Sequence, residues 1–434
     1  MPRPEELRIE NLGPCRIASP LPMSTVPGDG IGDFTPDDAR ILYQIERRDG
    51  PIPDLDLAFE KAGARQRIYF EPESSKAAIV TCGGLCPGIN NVIRTLYFVL
   101  TANYTVPEVL GIRFGFAGLN PATGQPPIRL SPGIVEDIHK SGGSILGMSR
   151  GPQEPTVTVD FLEDQGINML FCVGGDGTQR GAHAIAEEVA RRGAKIAIVG
   201  IPKTIDNDIK HVSRTFGFLT AVEEAEKIIA SAHNEARAVR HGIALVKLMG
   251  REAGFIAAAA TIASGHVNFT LVPEVPFRLD GDDGFLARLH RRLEARDHAV
   301  IVAAEGAGQD LIPSHVEERD RSGNRKLADV GVFLKGEIER YLKGRGVETK
   351  VKYFDPSYHI RSVPANTADS LLCEHLARNA AHAALAGKTG LLIGLWHDKF
   401  VHVPLPVAVG ETKRLCPESD WWITVQAMTG QQKW

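Results

Sequence analysis

Short apolar runs alternate with amphipathic stretches along the chain from Lys76 onward. The runs at 77–80, 169–173 and 196–199 have the length and apolar content of buried strands. Helical spacing of apolar residues follows the first two of these runs. Because strand and helix alternate roughly every 25 residues, the pattern predicts βαβ units of a parallel sheet.

The same alternation recurs after Thr215, and it predicts two α/β domains with mainly parallel sheets. The first 75 residues are rich in Pro and Gly, so we expect an N-terminal extension laid over the surface. The charged segment 316–326 is expected to be solvated. The further predicted elements are a helix at about 218–235, strands at 243–247, 270–272 and 300–304, a helix at about 367–385 and a strand at 391–395.

Composition narrows the class of protein. With 43% apolar residues, 24% charged residues and a net charge of −4, the chain does not favour nucleic acid or a membrane surface as a partner. The longest apolar stretch, 253–264, is too short to cross a bilayer, and the first residues lack a signal-peptide core. Six scattered cysteines suggest neither a disulfide framework nor a zinc motif, so we expect a cytoplasmic location.

Two glycine-rich turns each stand between a predicted strand and a predicted helix. Backbone N–H groups in such turns can approach phosphate, and the helix N-terminus adds positive potential. The turn at 83–84 alone is equally typical of a structural turn. In GGDGT at 174–178, Asp176 can hold Mg²⁺ and Thr178 can bond a phosphate oxygen, although a tight turn capped by Asp and Thr has the same composition.

The segment PKTIDND at 202–208 follows the strand predicted at 196–199. Polar side chains and two carboxylates beside a buried strand are costly to place without a function. In an extended loop Thr204, Asp206 and Asp208 project to one side, which would direct two carboxylates at one substrate. A run of turn formers and helix caps is the alternative interpretation.

Further polar residues follow other predicted strands, and open parallel sheets bind ligands beyond the carboxyl ends of their strands. Each alone is typical of a surface or capping residue, but together they supply cations and hydrogen-bond partners for a phosphorylated sugar. These residues are Met249, Gly250, Arg251, Glu305, Lys352, Tyr358, His359, Ile360 and Arg361.

Six segments in this order resemble the phosphofructokinase family, over about residues 76–395. The string TIDND, together with the other segments, is the most specific part of the resemblance. The segments are TCGGLCPGINN at 81–91, LGMSRG at 146–151, GGDGT at 174–178, PKTIDND at 202–208, MGR at 249–251 and YHIR at 358–361.

The resemblance implies two Rossmann-like domains with the active site in the cleft between them. A donor-binding domain is expected at 76–213, completed by about 360–410, and a fructose 6-phosphate-binding domain at 214–359, completed by about 411–434. The implied activity is that of a glycolytic 6-phosphofructokinase. It would transfer the γ-phosphoryl group of ATP to the 1-hydroxyl of fructose 6-phosphate with Mg²⁺, as a homodimer or homotetramer.

The resemblance also implies, at the matching positions of this chain, the roles that residues have in the family. Asp206 is implied as the general base for the 1-hydroxyl, with Thr204 and Asp208 shaping its site, and Asp176 as the Mg²⁺ ligand. Lys352 stands where a cation from a neighbouring subunit reaches the 6-phosphate. The implied donor residues are Gly84, Arg150, Gly151, Gly175, Asp176, Gly177 and Thr178. The implied sugar residues include Ile205, Met249, Gly250, Arg251, Glu305, Tyr358, His359, Ile360 and Arg361.

Two positions depart from the shorter bacterial enzymes, which have Gly in place of Lys203 and His in place of Tyr358. Both features resemble the branch with pyrophosphate-dependent enzymes and the plant and trypanosome ATP enzymes. Pyrophosphate-dependent members carry Asp where this chain has Gly177, and glycine leaves room for the α-phosphate of ATP. Lys203 accompanies pyrophosphate use, but the plant and trypanosome ATP enzymes also combine Lys with Gly, so the glycine is the better guide. We therefore expect ATP as the donor, with pyrophosphate as the alternative.

The sequence argues against two other functions. A catalytically silent subunit that senses phosphosugars would be expected to lose Asp176 or Asp206, and the chain has both. A kinase of NAD or of a lipid shares only the GGDGT loop, and the TIDND string argues against it.

Overall fold

A computed structural model of the chain describes residues 1–46, 54–151, 153–313 and 326–431, so all of the charged segment 316–326 except its last residue lies outside the described residues. The chain divides into two compact units. The first comprises Met1–Thr204, Ile209–Gly217 and Val363–Thr412, and the second comprises Ile205–Asp208, Phe218–Ser362 and Lys413–Trp434.

The strands and helices of the described residues are numbered in chain order. The strands are β1 (Glu10–Asn11), β2 (Ile17–Ala18), β3 (Arg40–Leu42), β4 (Ala58–Lys61), β5 (Arg67–Ile68), β6 (Lys76–Thr81), β7 (Glu108–Ile112), β8 (Ile128–Arg129), β9 (Met169–Gly174), β10 (Ala197–Pro202), β11 (Gly242–Leu248), β12 (Phe269–Leu271), β13 (His298–Ala304), β14 (Lys350–Phe354), β15 (Lys388–Thr389), β16 (Leu391–Trp396) and β17 (Lys399–Pro404). The α-helices are α1 (Ile89–Phe98), α2 (Pro132–Val135), α3 (Pro155–Asp164), α4 (Asp176–Arg192), α5 (Phe218–Arg237), α6 (Phe255–Ser264), α7 (Phe285–Arg296), α8 (Val330–Lys343), α9 (Thr367–Leu385), α10 (Leu405–Ala408) and α11 (Asp420–Thr429). Across the described ranges, none of these helices combines the length and apolar character needed to cross a membrane.

The first unit is built on a nine-stranded sheet in the order β3-β4-β17-β16-β10-β9-β6-β7-β8. Its central strands, from β16 to β7, pair in parallel, and the strands at both edges pair antiparallel. Every residue of β9 and β10 is buried, as expected for parallel strands covered on both faces. The carboxyl ends of β6, β9 and β10 therefore lie side by side in the sheet.

The second unit is built on a four-stranded sheet in the order β12-β13-β11-β14, and all its strand pairs are parallel. Apolar residues of α7 and α8 share a core with β11 and β13, and α5 and α6 also pack against these strands. With both sheets known, the predicted α/β class and the mainly parallel pairing are confirmed.

The N-terminal residues differ from the expected surface extension. They belong to the first unit, where β3 and β4 extend the large sheet beyond β17. Phe59 in β4 is fully buried. Glu60 is also buried, and its carboxylate contacts Arg65, Lys388 and His402 at 2.8–3.0 Å. β4 is thus part of the core of the unit, whereas Leu7 is the one buried residue among the described residues 1–46.

Candidate active site

A buried lysine ties the turn after β6 to the end of β10. Gly83 has a φ of +90°, which favours glycine. Its N–H donates, at 2.9 Å, to a carbonyl of the loop that contains Arg150 and Gly151. The ammonium of Lys203 donates to the carbonyl of Gly84 at 2.6 Å. The structure therefore brings these predicted donor residues together at one edge of the sheet.

The glycine loop after β9 leads directly into α4, with Gly175 as the N-cap and Asp176 as the first helical residue. A side chain at Gly174 would collide with Thr178, so the close approach requires glycine there. At Gly177, by contrast, a Cβ would meet no atom within 4 Å. The positive end of the α4 dipole thus faces open space at residue 177.

Asp176, the candidate metal ligand, forms an ion pair with Arg180 one turn later in α4. Taking only the residues described, no group of three or more His, Cys, Asp or Glu side chains could hold a metal ion. Mg²⁺ usually binds through one or two carboxylates together with substrate phosphates, so one carboxylate at a helix N-terminus suits that mode. Arg180 is not among the residues predicted from the sequence, although its i,i+4 spacing from Asp176 was an available signal.

Gln179 is a second residue of this region that was not predicted from the sequence. It is buried, and its amide nitrogen donates to the carbonyls of Gly174 at 2.9 Å and Ile201 at 3.3 Å. These bonds join the carboxyl ends of β9 and β10, from which both candidate loops start. The available signal was a polar residue three positions before Ala182, on the apolar face of a predicted helix.

Burial alternates along the segment that follows β10. Ile205 and Asn207 are buried, whereas Thr204, Asp206 and Asp208 are partly exposed. The extended conformation expected for this loop is wrong at Asn207, which has a φ of +54°. Asparagine adopts this left-handed conformation more readily than most residues. The backbone turns between the two carboxylates, and one oxygen of each, Oδ1, is buried although both residues are partly exposed.

In the second unit, the ends of β11 and β13 form one corner. The N–H of Gly306 donates to the carbonyl of Gly250 at 3.1 Å, and a side chain at Gly306 would collide with the carbonyl of Arg251. Gly250 itself has a φ of +131°. This close approach brings Met249 and Arg251 beside Glu305, as the strand order predicts.

Several cations lie near the carboxyl group of Glu305 at this corner. Burial raises the pKa of its carboxyl group, and the cations of Arg251, Lys247 and Arg361 oppose that shift. Lys247 is also paired with the carboxylate of Asp355 at 2.8 Å. A half-buried carboxyl group beside several cations is an arrangement that suits a ligand with both hydroxyl and phosphate groups.

The residues 358–361 divide by exposure. Tyr358 is 76% exposed, and the guanidinium of Arg361 lies 4.9 Å from the centre of its ring. His359 lies 3.4 Å from the carboxylate of Glu224. Ile360 is fully buried, so it anchors the segment while its neighbours face outward.

Lys352 lies apart from this corner. In β14 it is level with Ala244 of β11, five residues before Met249. Its ammonium donates to the carbonyl of Glu235 at 2.9 Å and forms an ion pair with the carboxylate of the same residue. Within the second unit, the structure does not bring Lys352 to Glu305.

Comparison with known proteins assigns the family. The model of the family described as Phosphofructokinase matches residues 76–384, well over half of the chain. The chain belongs to the phosphofructokinase family. It is 46% identical over 433 residues to the ATP-dependent 6-phosphofructokinase of Borreliella burgdorferi, which covers 98% of this chain and 97% of that relative. It is 45% identical over 397 residues to the ATP-dependent 6-phosphofructokinase of Trypanosoma brucei brucei, covering 90% and 81%.

Solved structures of phosphofructokinases have the same fold. The pyrophosphate-dependent phosphofructokinase of Marinobacter aquaeolei matches with a TM-score of 0.67 and 21% identity, over 82% of this chain and 91% of that one. The pyrophosphate-dependent phosphofructokinase of Nitrosospira multiformis matches with a TM-score of 0.69 and 18% identity, over 82% and 92%. At such low identities the likeness concerns the fold alone.

Proposed function

We propose that the chain is an ATP-dependent 6-phosphofructokinase, which transfers the γ-phosphoryl group of ATP to the 1-hydroxyl of fructose 6-phosphate in glycolysis. The observation that carries the proposal is that one chain contains both parts of a phosphoryl-transfer site. One part is a glycine-lined helix N-terminus for donor phosphates, and the other is a carboxylate segment with a cationic corner for a phosphorylated acceptor. The names of the curated relatives support the same activity.

On the donor side, the exposed N-terminus of α4 would receive the phosphates of ATP. Asp176 would hold Mg²⁺, which would neutralise charge on the phosphates when bound. Arg150 would offset further charge. The proposed donor residues are Gly84, Arg150, Gly151, Gly175, Asp176, Gly177 and Thr178.

On the acceptor side, Asp206 would take the proton from the 1-hydroxyl as the phosphoryl group arrives. Asp208 would shape this site, and Arg251 and Arg361 would pair with phosphate oxygens. Phosphoryl transfer needs positioning and charge neutralisation more than covalent chemistry. The remaining proposed sugar residues are Thr204, Ile205, Met249, Gly250, Glu305, Lys352, Tyr358, His359 and Ile360.

The donor is inferred from Gly177 more than from Lys203. The ammonium of Lys203 is bonded to the carbonyl of Gly84, an interaction that needs no particular donor. The open space at Gly177 leaves room for an additional phosphate group. Lys203 still favours pyrophosphate as the second candidate. A homodimer or homotetramer is part of the proposal and rests on the family resemblance, and the proposed cytoplasmic location rests on the scattered cysteines.

The test is a coupled assay of fructose 1,6-bisphosphate formation, run with Mg-ATP and then with pyrophosphate. We expect turnover with ATP and little with pyrophosphate; turnover with pyrophosphate alone would overturn the donor but not the family. Asp206→Ser should lower kcat by about 10²–10⁴-fold with substrate binding retained. The matched control is Asp282→Ser at an exposed position of the same unit. Equal kcat values for both variants would refute the role of Asp206.

A further inference from the structure

A segment near the C-terminus pairs with the carboxylate segment that follows β10. The N–H of Lys413 donates to the carbonyl of Asp208 at 2.9 Å. The preceding residue, Thr412, pairs with Ile209 in an antiparallel bridge. This backbone pairing therefore begins two residues after Asp206 in the chain.

The side chain of Lys413 is half-buried and placed for electrostatic contact. Its ammonium lies 5.1 Å from the centre of the Phe255 ring, a cation–π arrangement. The carboxylate of Asp208 attracts this ammonium and opposes the effect of burial on its pKa. Burying a cation is costly unless an opposite charge lies near it. The ring of Phe255 and the carboxylate of Asp208 therefore suit a positively charged side chain at position 413.

The residues after Lys413 are fixed to the loop between β11 and α6. The guanidinium of Arg414 lies 2.8 Å from the carboxylate of Glu252. The N–H of Leu415 donates to the carboxylate of Glu274 at 2.7 Å, and the same carboxylate accepts the N–H of Gly254 at 2.9 Å. Residues 413–415, the C-terminal brace, thus connect the carboxylate segment to the loop that begins with residues 249–251.

We propose that Lys413 is a positioning residue, which through Asp208 holds Asp206 in the conformation that accepts the proton of the sugar hydroxyl. The inference rests on the proposed function. Lys413 touches neither substrate in this assignment, and its effect passes through the charge and the backbone of Asp208. A misplacement of about 1 Å in a catalytic group can cost about a hundredfold in rate. The expected signature is therefore a loss of kcat with little change in either KM.

The pH dependence of kcat gives a second signature. Burial lowers the pKa of Lys413 to about 8, and Asp208 opposes that shift. The other charged groups of the brace and its contacts are Arg414, Glu252 and Glu274, of which the first two pair with each other. The ammonium is present below this pKa and lost above it, so kcat should fall as the pH rises through about 8. An arginine at position 413 keeps its charge and should lack this alkaline fall.

The experiment compares Lys413→Met, Lys413→Arg and the control Lys343→Met, an exposed lysine of the same unit. Lys413→Met should lower kcat by about ten- to hundredfold, with KM values for ATP and fructose 6-phosphate within about twofold. Lys413→Arg should recover most of the loss and the control should show none. A kcat of Lys413→Met equal to the control, or a failure of arginine to restore it, would overturn the proposal.

A double-mutant cycle with Asp208→Asn separates positioning from general loss of structure. If Lys413 acts through Asp208, Asp208→Asn should cost much less in the Lys413→Met variant than in the wild type, both in kcat and in the free energy of unfolding. Additive effects in both quantities would refute the contact. The cycle measured by unfolding needs no turnover, so it tests the pair of Lys413 and Asp208 even in an inactive protein. A wild-type protein that uses neither ATP nor pyrophosphate would refute the proposed function and not this contact.

Discussion

Replacing Gly177 by aspartate should weaken the use of ATP without harming the fold. A Cβ at this position meets no atom within 4 Å, and the residue lies in the first turn of α4. Glycine is about 1 kcal/mol less favourable than alanine inside a helix, and a carboxylate near the helix N-terminus interacts well with the dipole. Any loss of activity would therefore come from the donor and not from unfolding.

The size of the expected decrease in ATP use follows from the repulsion between the new carboxylate and the phosphates of ATP. Two like charges about 4 Å apart repel by about 1 kcal/mol in water and by about 4 kcal/mol at the effective dielectric of a protein surface. Gly177 is exposed, so its environment lies between these limits. The corresponding decrease in kcat/KM for Mg-ATP is between roughly fivefold and nine-hundredfold.

The assay is a series with Gly177→Ala, Gly177→Asn and Gly177→Asp, measured as kcat/KM for Mg-ATP at saturating fructose 6-phosphate. Alanine should be nearly neutral, asparagine should report the cost of size, and aspartate should add the cost of charge. Urea unfolding of each variant controls for stability. If Gly177→Asp uses ATP as well as Gly177→Ala does, the inference from the open space at this position is wrong.

Three further substitutions test the second unit and the N-terminal segment. Arg251→Ala should raise the KM for fructose 6-phosphate by the equivalent of about 1.5–3 kcal/mol, which is the usual cost of losing a hydrogen bond to a charged group. A rise only in the KM for ATP would show that the proposed contact of Arg251 with the sugar phosphate is wrong. Burial raises the pKa of Glu305, so wild-type stability falls, relative to Glu305→Gln, as the pH rises from the ordinary carboxyl range through that raised pKa. Urea titrations at several pH values should show this trend, and a pH-independent difference would contradict it. Glu60→Gln should cost about 3–5 kcal/mol in the free energy of unfolding, because it removes the carboxylate that pairs with the buried ammonium of Lys388 and one of the two that pair with Arg65. A cost below about 1 kcal/mol would contradict this account of the cluster.

The elements that the sequence predicted well are those encoded by local periodicity. The apolar run at 169–173 is β9, Met169–Gly174, and the helix predicted after it is α4, Asp176–Arg192. Gly193 ends this helix with a φ of +68°, as a left-handed cap requires. Candidate residues at the ends of such strands come together for the same reason, since neighbouring parallel strands end at one edge of the sheet.

The elements that the sequence did not predict depend on partners far along the chain. β4 pairs with β17 through Glu60 and His402, which are 342 residues apart. No local period reports such a pairing, so the Pro- and Gly-rich composition of the segment suggested a surface extension instead. Gln179 and Lys413 were missed for a related reason, because their roles lie in contacts with other segments.

The conformation of the carboxylate segment shows how local and distant causes combine. A non-glycine residue in the left-handed region costs of order 1–3 kcal/mol and persists only when its surroundings hold it there. Asn207 has this conformation between Asp206 and Asp208, and it is buried. The sequence TIDND supplies the carboxylates and a residue type that tolerates the turn. The backbone bond from Lys413 to Asp208 comes from 205 residues further along the chain and restrains the segment immediately after the turn. The motif TIDND therefore supplies the chemical groups of this segment. The conformation of the segment also depends on residues 413–415, which lie outside the motif.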